Sequence, residues 1–214
     1  MRLAELSERS GVSTATIKYY LREGLLTPGR QVNATTAEYD EEHLRRLRLV
    51  RAMIQVARVP VATVREVFHH VDDDSLGRTM RLGAALWALP QVPEPDTDDV
   101  LVRRARREVD QLLETVGWSN AQALVTISPA YRSLVAAVAT FRRLGFDWDS
   151  EVIASYARLM HQAAVLDLDF VETHPSEAEK AETAVAAAIF VEPMLQALHR
   201  LAQEEESARR YGFE

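Results

Sequence analysis

Apolar positions along this chain recur almost everywhere at helical spacing. Leu3 and Leu6 precede Gly11, a short helix closed by a glycine C-cap. Ser13 is placed to N-cap a second helix running to Arg22, with Gly24 ending it. From Leu25 to Tyr39 the helical period disappears, and Pro28, Gly29 and Asn33 predict a loop or short hairpin. Asp40 caps a third helix with Leu44, Leu47, Val50 and Ile54 on one face, and Pro60 begins a fourth that turns Val64, Val67, Phe68 and Val71 inward.

Asp72-Asp73-Asp74-Ser75 breaks the chain and is read as the cap of a helix to about Leu89. Pro90, Pro93 and Pro95 mark a linker. Further helices are expected from about Asp98 to Val116, from Ser128-Pro129 to Gly145, and from near Asp149 to Glu172. A last one starts at Ser176, with Glu179 completing a capping box and Pro193 expected to kink it. The fold class is all-α: an N-terminal winged helix-turn-helix with a small wing, a short linking helix and a C-terminal helical bundle. The corresponding stretches are 1–71, 72–97 and 98–214.

Composition narrows the chemistry. The 214 residues include no cysteine, which removes disulfides, thiolate metal sites and cysteine nucleophiles. The net charge of -7 hides an asymmetry. Residues 1–70 carry eleven Lys and Arg against eight Asp and Glu, or +3, and the remainder fourteen against twenty-four, or -10. A basic head on an acidic body confines attraction for phosphate to one end. The longest apolar run, Ala184 to Val191, is too short to span a bilayer, and Glu5 sits where a signal peptide is apolar. The cytoplasm is the expected compartment, with no membrane partner.

In the head, Leu3, Leu6, Val12, Ile17 and Leu21 suit the lock between two helices, while Thr14, Ala15, Thr16, Lys18, Tyr19 and Arg22 are left to face outward. Spacing alone fits any pair of packed helices. The string is more specific. Gly11-Val12-Ser13-Thr14-Ala15-Thr16-Ile17-Lys18-Tyr19-Tyr20, followed by Arg22-Glu23-Gly24-Leu25-Leu26, closely resembles the signature of the MerR family of transcription regulators. Tyr39 to Leu47 resembles the end of that family's wing and its following helix.

The resemblance covers about residues 1–71 and implies a homodimer on a palindromic promoter operator in double-stranded DNA. RNA polymerase at the promoter and a small-molecule effector follow as implied partners. By motif position Thr16, Lys18, Tyr19 and Tyr20 would contact groove and phosphate, with Arg45 supporting the backbone grip. Ser13, Thr14, Arg22 and the wing residue Thr35 complete the candidate set. Two departures stand out: Ala15 replaces a frequent arginine, and Thr35-Thr36-Ala37-Glu38 replaces the usual Gly-Tyr-Arg of the wing. A wing without that arginine should grip phosphate more weakly, so repression is as plausible as activation.

Leu76, Gly83, Leu86 and Leu89 make barely two heptads for dimerisation, so the helical body is expected to supply the rest of the interface. In that body Trp118, Tyr131, Phe141, Trp148 and Tyr156 are candidates to line a pocket for a small apolar or cationic ligand, or else are core. His69-His70 beside the Asp72–Asp74 run, and the run Arg103-Arg104 with Arg106-Arg107, read as solvated faces. No cofactor or metal is implied, and the body carries no phosphate loop, nucleophile elbow or metal-spaced His/Glu set of an enzyme. The alternatives are a regulator whose body is structural or binds a protein partner, and, more remotely, an enzyme with a DNA-localising head.

Overall fold

The computed structural model describes residues 1–33, 36–90, 93–147 and 149–212. Thr35 and Trp148 lie outside them. Helix α1 (Leu3–Ser10) ends where Gly11 takes φ +66°, and α2 (Thr14–Arg22) starts where the Ser13 hydroxyl accepts from the Thr16 N–H at 3.1 Å. Strands β1 (Arg30–Asn33) and β2 (Thr36–Glu38) form an antiparallel hairpin with Arg30 opposite Glu38 and Gln31 opposite Ala37. The chain start ties down the hairpin's base, since Met1 and Tyr39 exchange backbone hydrogen bonds at 2.6 and 2.9 Å. Asp40 and His43 form a capping box at the start of α3 (Glu41–Gln55). Helix α4 (Val61–Val71) follows Pro60.

These elements close over one core. Leu6, Ile17, Leu25, Leu44, Leu47, Val50, Met53, Val64, Val67 and Phe68 are wholly buried, each contributing about 1.5–3 kcal/mol of transfer free energy. Met53 takes the inward place expected of Ile54, which is only partly buried. Helix α5 (Arg78–Trp87) begins later than the Asp72–Ser75 run suggests. Asp73 spends its carboxylate on the Ser75 N–H and hydroxyl, making a turn, and Gly77 occupies the cap position.

Packing divides the chain into two compact units, residues 1–89 with 171–214, and residues 90–170. Helix α10 (Glu177–Tyr211) belongs to the first of these units. Its first turns seat Ala181, Val185 and Ile189 in the head's core, against α3, α4 and α5. Ser176 caps α10 by accepting from the Glu179 N–H at 3.2 Å. One eighteen-residue stretch of α10 reaches a mean hydropathy of 1.3, high enough by length and composition for a membrane span, which the shorter run in the sequence did not suggest.

The second unit holds α6 (Val100–Val116), α7 (Ser119–Ala123), α8 (Pro129–Arg143) and most of α9 (Ser150–Glu172). Asp99 and Ser128 cap α6 and α8, and Pro129 occupies the first turn of α8. Its core is small: Val102, Ala105 and Val109 of α6 against Val135 and Ala139 of α8.

Candidate nucleic-acid interface

The 3.6-residue period of α2 decides which side chains are available. Ile17 and Tyr20 point inward, and Ser13, Thr14, Lys18, Tyr19 and Arg22 point to solvent. Thr16 is half-buried, its hydroxyl 2.8 Å from that of Ser13. Lys18 and Arg22 are four residues apart on one face, and neither makes an ion pair with any described residue. Two like charges at that spacing repel by a few tenths of a kcal/mol, a cost that phosphate would reverse.

Two predicted contacts are placed elsewhere. Tyr20 is 4% exposed in the head core, where burial raises its phenol pKa. It is a packing residue because it falls three residues after Ile17, on the same face. Arg45 turns toward α10, meeting Glu179 at 3.4 Å and Glu182 at 3.2 Å, so its charge is answered within the chain. Of the site residues, Ser13, Thr14, Thr16, Lys18, Tyr19 and Arg22 stand together on α2 and its cap.

The wing presents Arg30, which is ion-paired with Glu38 across the hairpin, and Glu38 also lies 3.8 Å from Arg2. Arg58, in the turn between α3 and α4, is exposed and makes no ion pair among the described residues. It is their one non-glycine residue at positive φ (+58°), a conformation costing about 1–2 kcal/mol. Sequence reasoning passed over both arginines. The Arg58-Val59-Pro60 string between two helices was the available signal for the second.

It also missed a buried ionic cluster. Arg46 of α3 donates its Nε to Glu182 Oε1 at 2.5 Å, and Nη1 and Nη2 to the Asp72 carboxylate at 3.0 and 2.6 Å. Its guanidinium lies 4.2 Å over the Phe68 ring. Burial works against the charge on Arg46, but the Asp72 and Glu182 carboxylates outweigh it and raise its pKa. Asp72 thereby spends its carboxylate on Arg46, and no cluster of three metal-ligating side chains occurs among the described residues. Glu182 stands between Ala181 and Val185, whose side chains enter the head core.

In the second unit the aromatic candidates do not converge. The Tyr131 hydroxyl donates to Asp110 Oδ1 at 2.6 Å, and burial together with that carboxylate pushes its pKa up. Trp118 lies 6.1 Å from His161, Phe141 stacks on Phe146 at 5.0 Å, and Tyr156 is largely exposed. A cleft of about 270 Å³ is bordered by Glu108, Gln111, Leu112, Arg142, Glu151 and Ile153, and none of the described aromatic candidates lines it. The arginines from Arg103 to Arg107 all face solvent, Arg104 pairing with Glu108 at 2.9 Å.

Residues 1–71 match the MerR HTH family regulatory protein model. Across 50 residues the chain is 34% identical to the HTH-type transcriptional regulator ZntR homolog of Haemophilus influenzae, covering 23% of this chain and 37% of that one. Across 53 residues it is 30% identical to the HTH-type transcriptional regulator AdhR of Bacillus subtilis, covering 25% and 38%. The match thus spans little more than a third of each of these relatives. A crystal structure of SCO5550 from Streptomyces coelicolor A3(2), provisionally described as a transcriptional regulator, is 67% identical over 100% of this chain and 99% of its own, with a TM-score of 0.86. With an exposed basic face on the second helix of its head, a paired wing beside it and these likenesses, the chain belongs to the MerR family of DNA-binding transcription regulators.

Proposed function

We propose that this protein acts as a homodimer that sets two copies of α2 into successive major grooves of a palindromic promoter operator, in the cytoplasm and alongside RNA polymerase. The observation that carries the reading is the α2 face: Lys18 and Arg22 are exposed and make no ion pair among the described residues, with the small residues Ser13, Thr14 and Ala15 at the helix start. Small side chains let a helix N-terminus approach phosphate closely. The wing supports a supplementary grip, since its Arg30 is already shared with Glu38. Footprinting of the full chain on its own promoter should protect two half-sites about one helical turn apart. A single protected half-site would contradict the dimeric arrangement, and no protection at any promoter would contradict DNA recognition itself.

The effector is a small polar or cationic molecule in the cleft bordered by Glu108, Arg142 and Glu151. An apolar ligand caged by Trp118, Tyr131, Phe141 and Tyr156 has less support, because those rings are dispersed. A Glu108→Gln, Glu151→Gln variant should lose a ligand-induced rise in melting temperature and keep basal operator affinity. An unchanged ligand response in that variant would leave the body as scaffold or partner surface.

A further inference from the structure

Helices α1 and α2 each end on a guanidinium delivered by a later helix. The last carbonyls of a helix have no partner within it and are ordinarily left to water. At the end of α1, Arg51 of α3 donates Nη1 to the Ser10 carbonyl at 3.0 Å, and Arg48 donates Nη2 to that of Arg9 at 3.4 Å. At the end of α2, Arg65 of α4 donates Nε to the carbonyl of the cap residue Glu23 at 2.9 Å. Its Nη2 donates to the carboxylate of the same residue. Each guanidinium thus sits at the negative end of a helix dipole.

These contacts bracket α2, which at nine residues is only about 13 Å long. Val12, Ile17, Tyr20 and Leu25 hold it to the head core by apolar contact, which is non-directional and tolerates a small tilt. Hydrogen bonds from a planar fork do not. The Arg51 side is closed to relaxation. The Ser7 hydroxyl donates to the Val12 carbonyl at 2.6 Å, and the Val12 N–H donates to the Ser10 hydroxyl at 3.3 Å. Gln55 aims Arg51 by accepting its Nε at 3.0 Å, and Gly11 leaves it room, since a Cβ there would stand 2.8 Å from Nη1.

We infer that Arg51 and Arg65 are positioning residues for DNA recognition, fixing the tilt of α2 by its two ends without touching DNA. The inference rests on α2 as the helix that enters the groove. Reading base edges needs side chains placed to within about 0.5 Å, and a tilt displaces most the ends of the helix, where Thr14 and Arg22 lie. Arg65 is not free to serve as a phosphate contact, because Glu23 already answers its charge. An ion pair as exposed as this one adds little to stability in water, so its consequence lies in the pose of α2.

The discriminating variant keeps both charges. Arg51→Lys, Arg65→Lys retains two cations and removes two forks. In gel shifts of the full chain below its melting transition, operator affinity should fall by about tenfold. Affinity for an unrelated duplex and its salt slope should stay at wild type, because sequence-independent binding needs charge and not pose. Arg65→Lys alone, at the more exposed end, should show part of the same selective loss. Unchanged operator affinity would overturn the inference, and with a lowered melting temperature it would make the arginines merely structural. Equal losses on both duplexes would overturn it too. Lys18→Ala on the same duplexes keeps the two readings apart. If it weakens operator binding while the lysine variants do not, only the positioning role fails. If it also binds as wild type, α2 is not the helix that reads DNA.

Discussion

Arg46 and Glu182 stand 136 residues apart in the sequence and 2.5 Å apart in the fold, Nε to Oε1, with side chains 7% and 3% exposed. Asp72 closes the cluster from the end of α4. The contact fastens α10 to the helix that follows the wing, so the last helix of the chain is part of the DNA-binding unit's core. Such a cluster is a poor source of net stability, since desolvating the ions offsets most of their attraction. Its consequence is specificity: a misplaced α10 would leave charges buried without partners.

Glu182→Ala should therefore destabilise the chain by about 1–3 kcal/mol, because it leaves the buried Arg46 Nε unpaired while Asp72 still holds both Nη atoms. Replacing both partners by Arg46→Met and Glu182→Leu should cost far less than the sum of the single changes. Urea denaturation of the four proteins, closed as a double-mutant cycle, measures this. Equal and additive losses would show that the pair is not coupled.

The adjacent tyrosines of α2 should separate by phenotype. Tyr20→Ala opens a cavity in the head core and should lower stability by about 3–5 kcal/mol, as for other buried aromatics. Tyr19→Ala should leave the melting temperature within a degree or two and weaken operator binding. Thermal melts and gel shifts on both variants test this, and the opposite assignment would mean that α2 is rotated from the orientation described.

The elements most legible in the sequence were those with local causes. Ser13, Asp40, Ser128 and Gly11 each begin or end a helix by hydrogen bonds or backbone conformation confined to a few residues, and each does so in the structure. Helix α7 was not foreseen, since its five residues Ser119–Ala123 are too few to show a period. The burial of Tyr20 was readable from its place three residues after Ile17, whereas the partners of Arg45 lie on α10, which no local pattern brings to it. The Arg46–Glu182 contact was illegible because nothing local links two charges so far apart.

Acid should loosen the head through the α3 cap. The His43 side chain and N–H hydrogen-bond the Asp40 carboxylate and hold its pKa below the usual carboxylate range. A carboxyl whose folded pKa is depressed stabilises the fold fully above its unfolded value and loses that contribution as pH falls through the folded one. Melting temperature should thus decline below about pH 4, and Asp40→Asn, which keeps a capping oxygen, should flatten this part of the decline. An unchanged acid limb in the variant would assign the transition to other carboxylates.

The central claim is that α2 carries the grip on DNA, and the salt dependence of operator binding tests it most directly. For the full chain on its footprinted operator, log affinity should fall linearly with log salt, by about 0.9 for each phosphate neutralised. Lys18→Ala and Arg22→Ala, each present twice in a dimer, should lower affinity and make that slope shallower by up to about 2, with the fold intact by circular dichroism. Arg104→Ala, on the solvent face of α6, should change neither. Wild-type affinity and slope in both α2 variants would contradict the account and move the DNA-binding surface off this helix.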